Sequence, residues 1–212
     1  YDFAPTGLTS SRDPAVIAGG KYLVHGPAHC TACHAESMDQ GMRAPLNETL
    51  LPVGGQQWEL GAFGTMRAAN LTSDDDTGLG LKSDAHLASI LKSGVGESGK
   101  LSLFMALAVP EFNDDDIVAI MSYLRTLPAR RNAVEPNDVG WLGKTLITFG
   151  VLGPKRGEPA KLVRPGDLPT VERGEYLARG PAKCVGCHSP IDPFDANKLN
   201  GALMSGCGRP ED

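Results

Sequence analysis

The sequence predicts an all-α protein that consists of two small helical domains in tandem. The first observation is an internal repeat, because residues 20–34 return as residues 174–188 with nine of the fifteen positions identical. The second is that helix start and stop signals surround apolar residues at helical spacing as far as Pro128. The third is length, since 212 residues suffice for one large or two small domains and the repeat favours two.

Each copy of the repeat ends in the same five-residue pattern, Cys-x-x-Cys-His. The residues are Cys30, Cys33 and His34 in the first copy and Cys184, Cys187 and His188 in the second. This pattern is typical of covalent c-type haem attachment, in which two thiols add to the porphyrin vinyl groups and the histidine binds the iron. Cysteines one helical turn apart can meet both vinyl groups along one edge of the ring. The motifs therefore predict two covalently attached haem c groups.

Three other kinds of site also use paired cysteines. Paired zinc knuckles lie about fifteen to twenty residues apart, whereas Cys30 and Cys184 are 154 positions apart. A thioredoxin-like redox pair lies in a βαβ pattern and has no adjacent histidine in its motif. Structural disulfides would leave the histidines and the repeat unexplained. Haem attachment accounts for all of these features.

The composition argues against some classes of partner. Acidic residues outnumber basic ones by 25 to 20, which gives a net charge of −5, so we expect no nucleic-acid binding and favour contacts with charged redox proteins. No stretch approaches the roughly twenty apolar residues of a membrane span. Cys207, the fifth cysteine, lies outside both motifs, and we expect it to have no ligand role.

The first domain opens with a helix and continues into an irregular stretch. Asp13 and Pro14 predict the helix start, and Gly19 and Gly20 predict the close approach of a second helix. Residues 35–72 show little periodicity and many Gly, Pro and Asn residues, which predicts a loop around the haem edge. Within this loop three side chains either contact the haem or pack in the ordinary way. They are Trp58, Phe63 and Asn70.

Two further helices are predicted before residue 129. Ser83 is the expected cap of the first, which ends at Gly94. Residues 113–116 supply the cap and acidic first turn of the second, which Pro128 stops. Its inner face consists of Ile117, Ile120, Met121 and Leu124.

Two methionines are candidates for the sixth ligand of the first haem iron. Met121 lies on the apolar stripe of a regular helix, where core packing is the favoured interpretation. Met105 lies just ahead of that helix, in an apolar stretch that we expect to be an extended loop.

Several stretches together resemble a class I cytochrome c domain. They are the Cys30 to His34 motif and residues 63–72, 76–80, 99–105 and 113–128. The sequence is similar to the multihaem cytochrome subunits of periplasmic alcohol and gluconate dehydrogenases over residues 13–128, and again from residue 172. The resemblance implies His34 as the proximal ligand and Met105 as the distal ligand. Ala106 replaces the proline that commonly follows this methionine in the family.

The repeat and the resemblance predict a first cytochrome c domain over residues 1–133, a linker over 134–171 and a second domain over 172–212. Within the linker, residues 138–152 suggest a short apolar helix that packs against a domain or, alternatively, lies on a membrane surface. Met105 follows His34 by 71 residues, and the same interval from His188 points to position 259. We therefore expect the second domain to be incomplete, the chain to be part of a longer cytochrome and Met204 not to bind iron.

The predicted function is electron transfer by a dihaem c-type cytochrome. Its partners would be a dehydrogenase or quinol-oxidising complex on one side and an acceptor such as a terminal oxidase on the other. Ligation by histidine and methionine raises the reduction potential of a haem, which suits a cytochrome that accepts electrons from a dehydrogenase or quinol site. Haem c maturation outside the cytoplasm implies a periplasmic location. The alternatives are a haem enzyme with an open iron position, resembling dihaem peroxidases or thiosulfate-oxidising cytochromes, and a haem subunit of a larger respiratory or photosynthetic complex. Association with a membrane surface or a membrane complex is a further expectation.

Overall fold

The computed structural model describes residues 1–43, 49–108, 111–154, 165–166, 168–192, 195–199, 202 and 204–206. The chain forms two compact units. The first comprises Tyr1–Val109 and Asp114–Arg156, and the second comprises Pro110–Asn113 and Gly157–Asp212. Cys207 lies outside the described residues.

The described structure is mainly helical. The helices are α1 (Pro14–His25), α2 (Cys30–His34), α3 (Met38–Arg43), α4 (Asp84–Ser93), α5 (Leu103–Ala108), α6 (Asp114–Leu124), α7 (Trp141–Thr148), α8 (Val171–Arg179) and α9 (Cys184–His188). The strands are β1 (Gln57–Glu59), β2 (Gly64–Arg67), β3 (Asp138–Val139), β4 (Ile191–Asp192) and β5 (Asp195–Leu199). Helix α7, in the stretch where the sequence suggested a short apolar helix, belongs to the first unit.

Helix α1 begins where the sequence predicts. The side chain of Asp13 accepts a hydrogen bond from the backbone N–H of Ala15 at 2.8 Å, and Pro14 occupies the first turn, where its missing N–H costs nothing. The helix ends at Gly26, whose N–H donates to the carbonyl of Tyr22 at 2.9 Å.

Helices α1 and α6 cross at Gly20. A Cβ atom on Gly20 would lie 1.9 Å from the carbonyl oxygen of Ala119, so glycine alone permits this approach. Gly19 has no neighbouring atom within 4 Å of such a Cβ. The expected close approach is therefore confirmed at Gly20 and wrong for Gly19.

The aromatic residue of α6 that faces α1 meets a histidine. The hydroxyl of Tyr123 lies 2.7 Å from Nε2 of His25, and the two rings meet edge to face with centroids 5.5 Å apart. Tyr22, also on α1, is half exposed. The contact between His25 and Tyr123 thus joins α1 to α6.

The predicted start and end of α4 and the predicted acidic first turn of α6 are confirmed, whereas the end of α6 differs. The hydroxyl of Ser83 accepts the N–H of His86, and Gly94 ends α4 in the left-handed region with φ of 79°. The predicted inner face of α6 is buried, with Met121 at 0 % exposure. Helix α6 ends at Leu124 and not at Pro128, because the carbonyl of Tyr123 already accepts the N–H of Thr126 in a tighter turn.

The expected loop over residues 35–72 contains regular structure. It holds α3 and the hairpin β1–β2, and β3 completes a three-stranded antiparallel sheet in the order β1-β2-β3. The hairpin register pairs Trp58 with Met66, and Met66 is buried. The prediction of a loop was therefore wrong here, because strands of three and four residues are too short to show a period of two clearly.

Met105 lies in helix α5 and not in an extended loop. The stretch from Leu103 is rich in Leu, Met and Ala, which favour helix. The N–H of Ala106 donates to the carbonyl of Ser102 at 2.9 Å, which closes the first helical turn. Apolar content without a visible period concealed this short helix in the sequence.

The second unit contains α8, α9 and the two-stranded sheet β4–β5. Thr170 caps α8 by accepting the N–H of Arg173 through its hydroxyl. Within the described parts of the chain, no helix combines the length and apolar character needed to cross a membrane.

Asp84 joins α4 to two other segments of the first unit. Its carboxylate accepts hydrogen bonds from the N–H and hydroxyl of Ser10, both at 2.7 Å, and from the guanidinium of Arg125 at 2.8 Å. Burial alone would raise the pKa of Asp84, but the hydrogen bonds from Ser10 and the charge of Arg125 outweigh it and hold the pKa below its ordinary value.

Replacement of Asp84 by asparagine is expected to destabilise the protein at neutral pH by about 1.5–3 kcal/mol, the usual contribution of hydrogen bonds to a charged group. Because the folded-state pKa is depressed, this stabilisation is present above the unfolded pKa of about 3.9 and is lost as the pH falls through the folded pKa. Guanidinium unfolding between pH 7 and pH 3 tests this. Asp76→Asn, in an exposed pair with Arg131, is the control with little expected effect. An Asp84 effect independent of pH would contradict the prediction.

Candidate haem sites

The first motif follows α1 through a tight, well-bonded turn. The N–H of Ala28 donates to the carbonyl of Leu23 at 3.0 Å, and that of His29 donates to Gly26 at 3.0 Å. His29 has φ of 50°, in the left-handed region that non-glycine residues seldom adopt. This residue reverses the chain so that α2 begins directly at Cys30.

The second copy has the same local structure. The N–H of Ala182 donates to the carbonyl of Leu177 at 2.8 Å, and Lys183 has φ of 48°. Lys183 stands immediately before Cys184, as His29 stands before Cys30. The sequence repeat is therefore also a repeat of backbone conformation. Histidine is enriched among non-glycine residues in this region but lysine is not, so residue type did not reveal the turn in both copies.

The thiols of the first motif share one helical turn, and both cysteines are half-buried. Burial is the main cause that raises the pKa of Cys30 to about 12, with a smaller contribution from Cys33, and burial raises the pKa of Cys33 as well. Among the described cysteines none forms a disulfide. Cys30 and Cys33 therefore carry free thiols, which thioether attachment requires.

His34 is oriented by a backbone carbonyl. Its Nδ1 lies 2.7 Å from the carbonyl oxygen of Ala69, which can only accept a hydrogen bond, so Nδ1 carries the proton. Burial lowers the pKa of His34, while the Ala69 carbonyl acts in the opposite direction. The neutral ring therefore keeps the lone pair of Nε2 for a metal, which fits the proximal ligand of a haem iron.

Gly54 holds the segment that orients His34, and the sequence reasoning missed this residue. Its N–H donates to the carbonyl of His34 at 2.7 Å, and its φ is 73°. A Cβ on Gly54 would lie 2.6 Å from the carbonyl oxygen of Ala69. The pair Gly54 and Gly55 was the available signal, because adjacent glycines often mark close backbone contact.

Two of the other candidate side chains of the predicted loop, Trp58 and Asn70, contact protein groups. Trp58 stacks on Phe104, with ring centroids 5.0 Å apart and planes 18° apart. Phe63 is half-buried, and its carbonyl accepts the N–H of Gly140. Asn70 is buried and is hydrogen-bonded to three chain segments. Trp58 and Asn70 thus pack within the protein.

The two methionines have different surroundings. Met121 is fully buried in α6, as core packing requires. Met105 is only half-buried, and its neighbour Phe104 is the residue that stacks on Trp58. This contact anchors α5 against the β1–β2 hairpin.

The second motif lies on α9, where Cys187 and His188 are exposed. Gly206 donates its N–H to the carbonyl of His188 at 2.8 Å and has φ of 82°. Gly54 makes the corresponding bond to His34 in the first unit. Met204, two residues before Gly206, has a half-exposed side chain, and its N–H donates to the hydroxyl of Ser189.

Comparison with known proteins identifies relatives, although no family model matches the sequence. A dihaem c-type cytochrome of Cereibacter sphaeroides is 31 % identical over 188 residues, which cover 87 % of this chain and 58 % of the relative. The cytochrome c subunit of the quinone alcohol dehydrogenase of Gluconacetobacter polyoxogenes is 28 % identical over 86 % of this chain and 37 % of its own length. That of the gluconate 2-dehydrogenase of Pantoea cypripedii is 30 % identical over 57 % of this chain and 28 % of its own length.

The chain thus spans less than two thirds of the length of each of these relatives. The names of the relatives support haem c as the cofactor predicted from the two motifs. Over most of its length the chain is similar to a dihaem c-type cytochrome and to the cytochrome c subunits of dehydrogenases, which confirms the resemblance seen in the sequence.

Proposed function

We propose that the chain is a dihaem c-type cytochrome that carries electrons from a dehydrogenase to a downstream acceptor. The observation that carries this proposal is the repeated turn and helix that present Cys-x-x-Cys-His twice with the same backbone conformation. In the first copy the hydrogen bond from His34 to Ala69 leaves Nε2 available to iron.

Haem c, when bound, supplies an iron that alternates between the ferrous and ferric states. The thiols of Cys30 and Cys33 would hold the first porphyrin, and those of Cys184 and Cys187 would hold the second. His34 and His188 would be the histidine ligands of the two irons. The left-handed residue before each motif sets the direction of the helix that carries these side chains.

Met105 is the proposed sixth ligand of the first iron. Met105 is only half-buried, whereas Met121 is enclosed by the core. The stacking of Phe104 on Trp58 fixes the helix that carries Met105. Met204 is not proposed as a ligand. It lies two residues before Gly206, whose N–H donates to the carbonyl of His188 as that of Gly54 donates to the carbonyl of His34, so this segment corresponds to the one beside the motif histidine in the first unit.

A dehydrogenase is the proposed electron donor. The relatives include cytochrome subunits of alcohol, fructose and gluconate dehydrogenases. The acceptor would be a further redox protein, such as a terminal oxidase, and the net charge of −5 suits contact with a basic partner surface. Because haem c is attached outside the cytoplasm, the periplasm is the proposed location. The domain limits of 1–133 and 172–212 remain part of this proposal.

Carbon monoxide binding separates electron transfer from haem enzymology. If Met105 occupies the sixth position, ferrous wild-type protein should bind carbon monoxide slowly at the first haem, whereas Met105→Ala should bind it rapidly there. Flash photolysis or stopped-flow mixing measures both rates. Rapid binding at the first haem of the wild type would contradict the proposal and favour a haem enzyme with an open coordination position.

A further inference from the structure

The carbonyl group that orients His34 belongs to a peptide next to a buried asparagine. Asn70 is 1 % exposed and follows Ala69 directly. Its Nδ2 donates to the carbonyl of Arg130 at 2.7 Å and to the hydroxyl of Thr77 at 3.1 Å. Its Oδ1 accepts from the N–H and the hydroxyl of Thr72 at 2.9 and 2.8 Å. The side-chain amide is therefore fully bonded, and its position is determined by three chain segments.

The surrounding groups are themselves fixed. The backbone N–H of Arg130 donates a hydrogen bond to the hydroxyl oxygen of Thr72, with 3.2 Å between nitrogen and oxygen. The hydroxyl of Thr77 accepts a hydrogen bond from the N–H of Asn132 and donates one to the carboxylate of Asp74 at 2.7 Å. Asn70 thus lies at the centre of a closed polar network, and loss of one member leaves buried partners unsatisfied.

The opposite side of the Ala69 peptide is held by glycines. Gly54 lies against the Ala69 carbonyl and donates its N–H to the carbonyl of His34. Gly55 donates its N–H to the carbonyl of Ala68 at 2.9 Å. The carbonyl of Ala69 is therefore confined between the glycine pair and the Asn70 network, with its oxygen on Nδ1 of His34.

A hydrogen bond from Nδ1 to a carbonyl makes the imidazole a stronger donor to a metal. A stronger donor stabilises ferric over ferrous iron and lowers the reduction potential, which axial ligation and its outer partners control. The strength of this effect depends on how closely the carbonyl is held to Nδ1, since hydrogen bonds weaken steeply with distance and angle.

We propose that Asn70 is a positioning residue for the first haem, which holds the Ala69 carbonyl on Nδ1 of His34 and thereby lowers the reduction potential of that haem. The inference rests on the proposed function. Asn70 acts through the peptide of Ala69 and has no direct role in binding the iron. Its effect on the potential distinguishes this role from a contribution to stability alone.

The test compares Asn70→Ala with Ser122→Ala in the full holoprotein. Ser122 is as deeply buried as Asn70. Its replacement by alanine removes the hydrogen bonds of its hydroxyl with Val118 and Ser11, and neither bond involves the Ala69 segment. Redox titration followed by visible absorption should show the ferrous-to-ferric ratio of one haem rising about tenfold at a fixed solution potential in Asn70→Ala, the lower end of outer-shell effects on metal sites. Ser122→Ala should leave it unchanged. Hyperfine-shifted NMR resonances of the His34 ring identify the affected haem.

Thr72 provides a second pair of variants if Asn70→Ala does not fold. Thr72→Val removes the hydroxyl bonded to Asn70, whereas Thr72→Ser keeps it. Thr72→Val should raise the ferrous-to-ferric ratio of the first haem, whereas Thr72→Ser should keep it at the wild-type value. Equal potentials in these two variants, or an equal shift in Ser122→Ala, would overturn the inference. The mass of the wild-type chain decides the proposed function separately, because absence of haem from the first motif would refute that function itself.

Discussion

Alanine at Gly20 is expected to destabilise the first unit by more than about 3 kcal/mol, beyond the usual range for overpacking. The new Cβ would lie 1.9 Å from the carbonyl oxygen of Ala119 and 2.9 Å from Cβ of Tyr123. Both neighbours belong to α6, whose inner face is part of the core, so relief requires the two helices to separate. The loss of packing then extends along the whole crossing.

Gly19 provides the matched control in the same helix. Nothing lies within 4 Å of a Cβ at this position, so Gly19→Ala should stabilise the protein by about 0.5–1 kcal/mol through helix propensity. Guanidinium unfolding of the holoprotein, followed by far-ultraviolet circular dichroism, measures both free energies. Equal effects of the two substitutions would contradict the close crossing at Gly20.

Removal of the Met105 thioether is expected to abolish the sulfur-to-iron absorption band of the first haem and to lower its reduction potential. The reason is that the thioether stabilises the ferrous state relative to harder ligands or water. Optical spectra of the ferric protein and a redox titration of Met105→Ala test this.

Met121→Ala is the control, because it deletes the same atoms from the same residue type. Met121 is enclosed in the core, so its replacement should cost about 2–5 kcal/mol of stability and leave the band intact. Loss of the band in Met121→Ala alone would show that the ligand assignment is wrong.

The parts of the fold that were predictable depend on local chemistry. Asp13, Ser83 and Gly94 indicate helix ends because capping involves residues close in sequence. Gly20 indicated the helix crossing, since glycine is costly inside a helix and permits a neighbouring backbone to come close. The β1–β2 hairpin and α5 were not predicted because both are very short, and short apolar runs do not distinguish strand, helix and loop.

The candidate haem sites also contain features that the sequence predicts and features that it does not. The thiols and the imidazole of each motif occupy five consecutive residues, so their chemistry is visible in the sequence. The partner of His34 is a carbonyl 35 positions away, and a backbone carbonyl carries no residue signature. Gly54 and Asn70 act on that carbonyl through contacts that only the folded chain creates. Outer contacts of this kind are therefore the least predictable part of the site.

Mass spectrometry of the denatured, protease-digested chain tests the central claim most directly. The account predicts two covalently bound haem groups, one on the peptide that contains Cys30 and Cys33 and the other on the peptide that contains Cys184 and Cys187. Thioether bonds survive denaturation, whereas a zinc ion or a non-covalent haem is released. A chain that carries a single haem, or none, after denaturation would contradict the account.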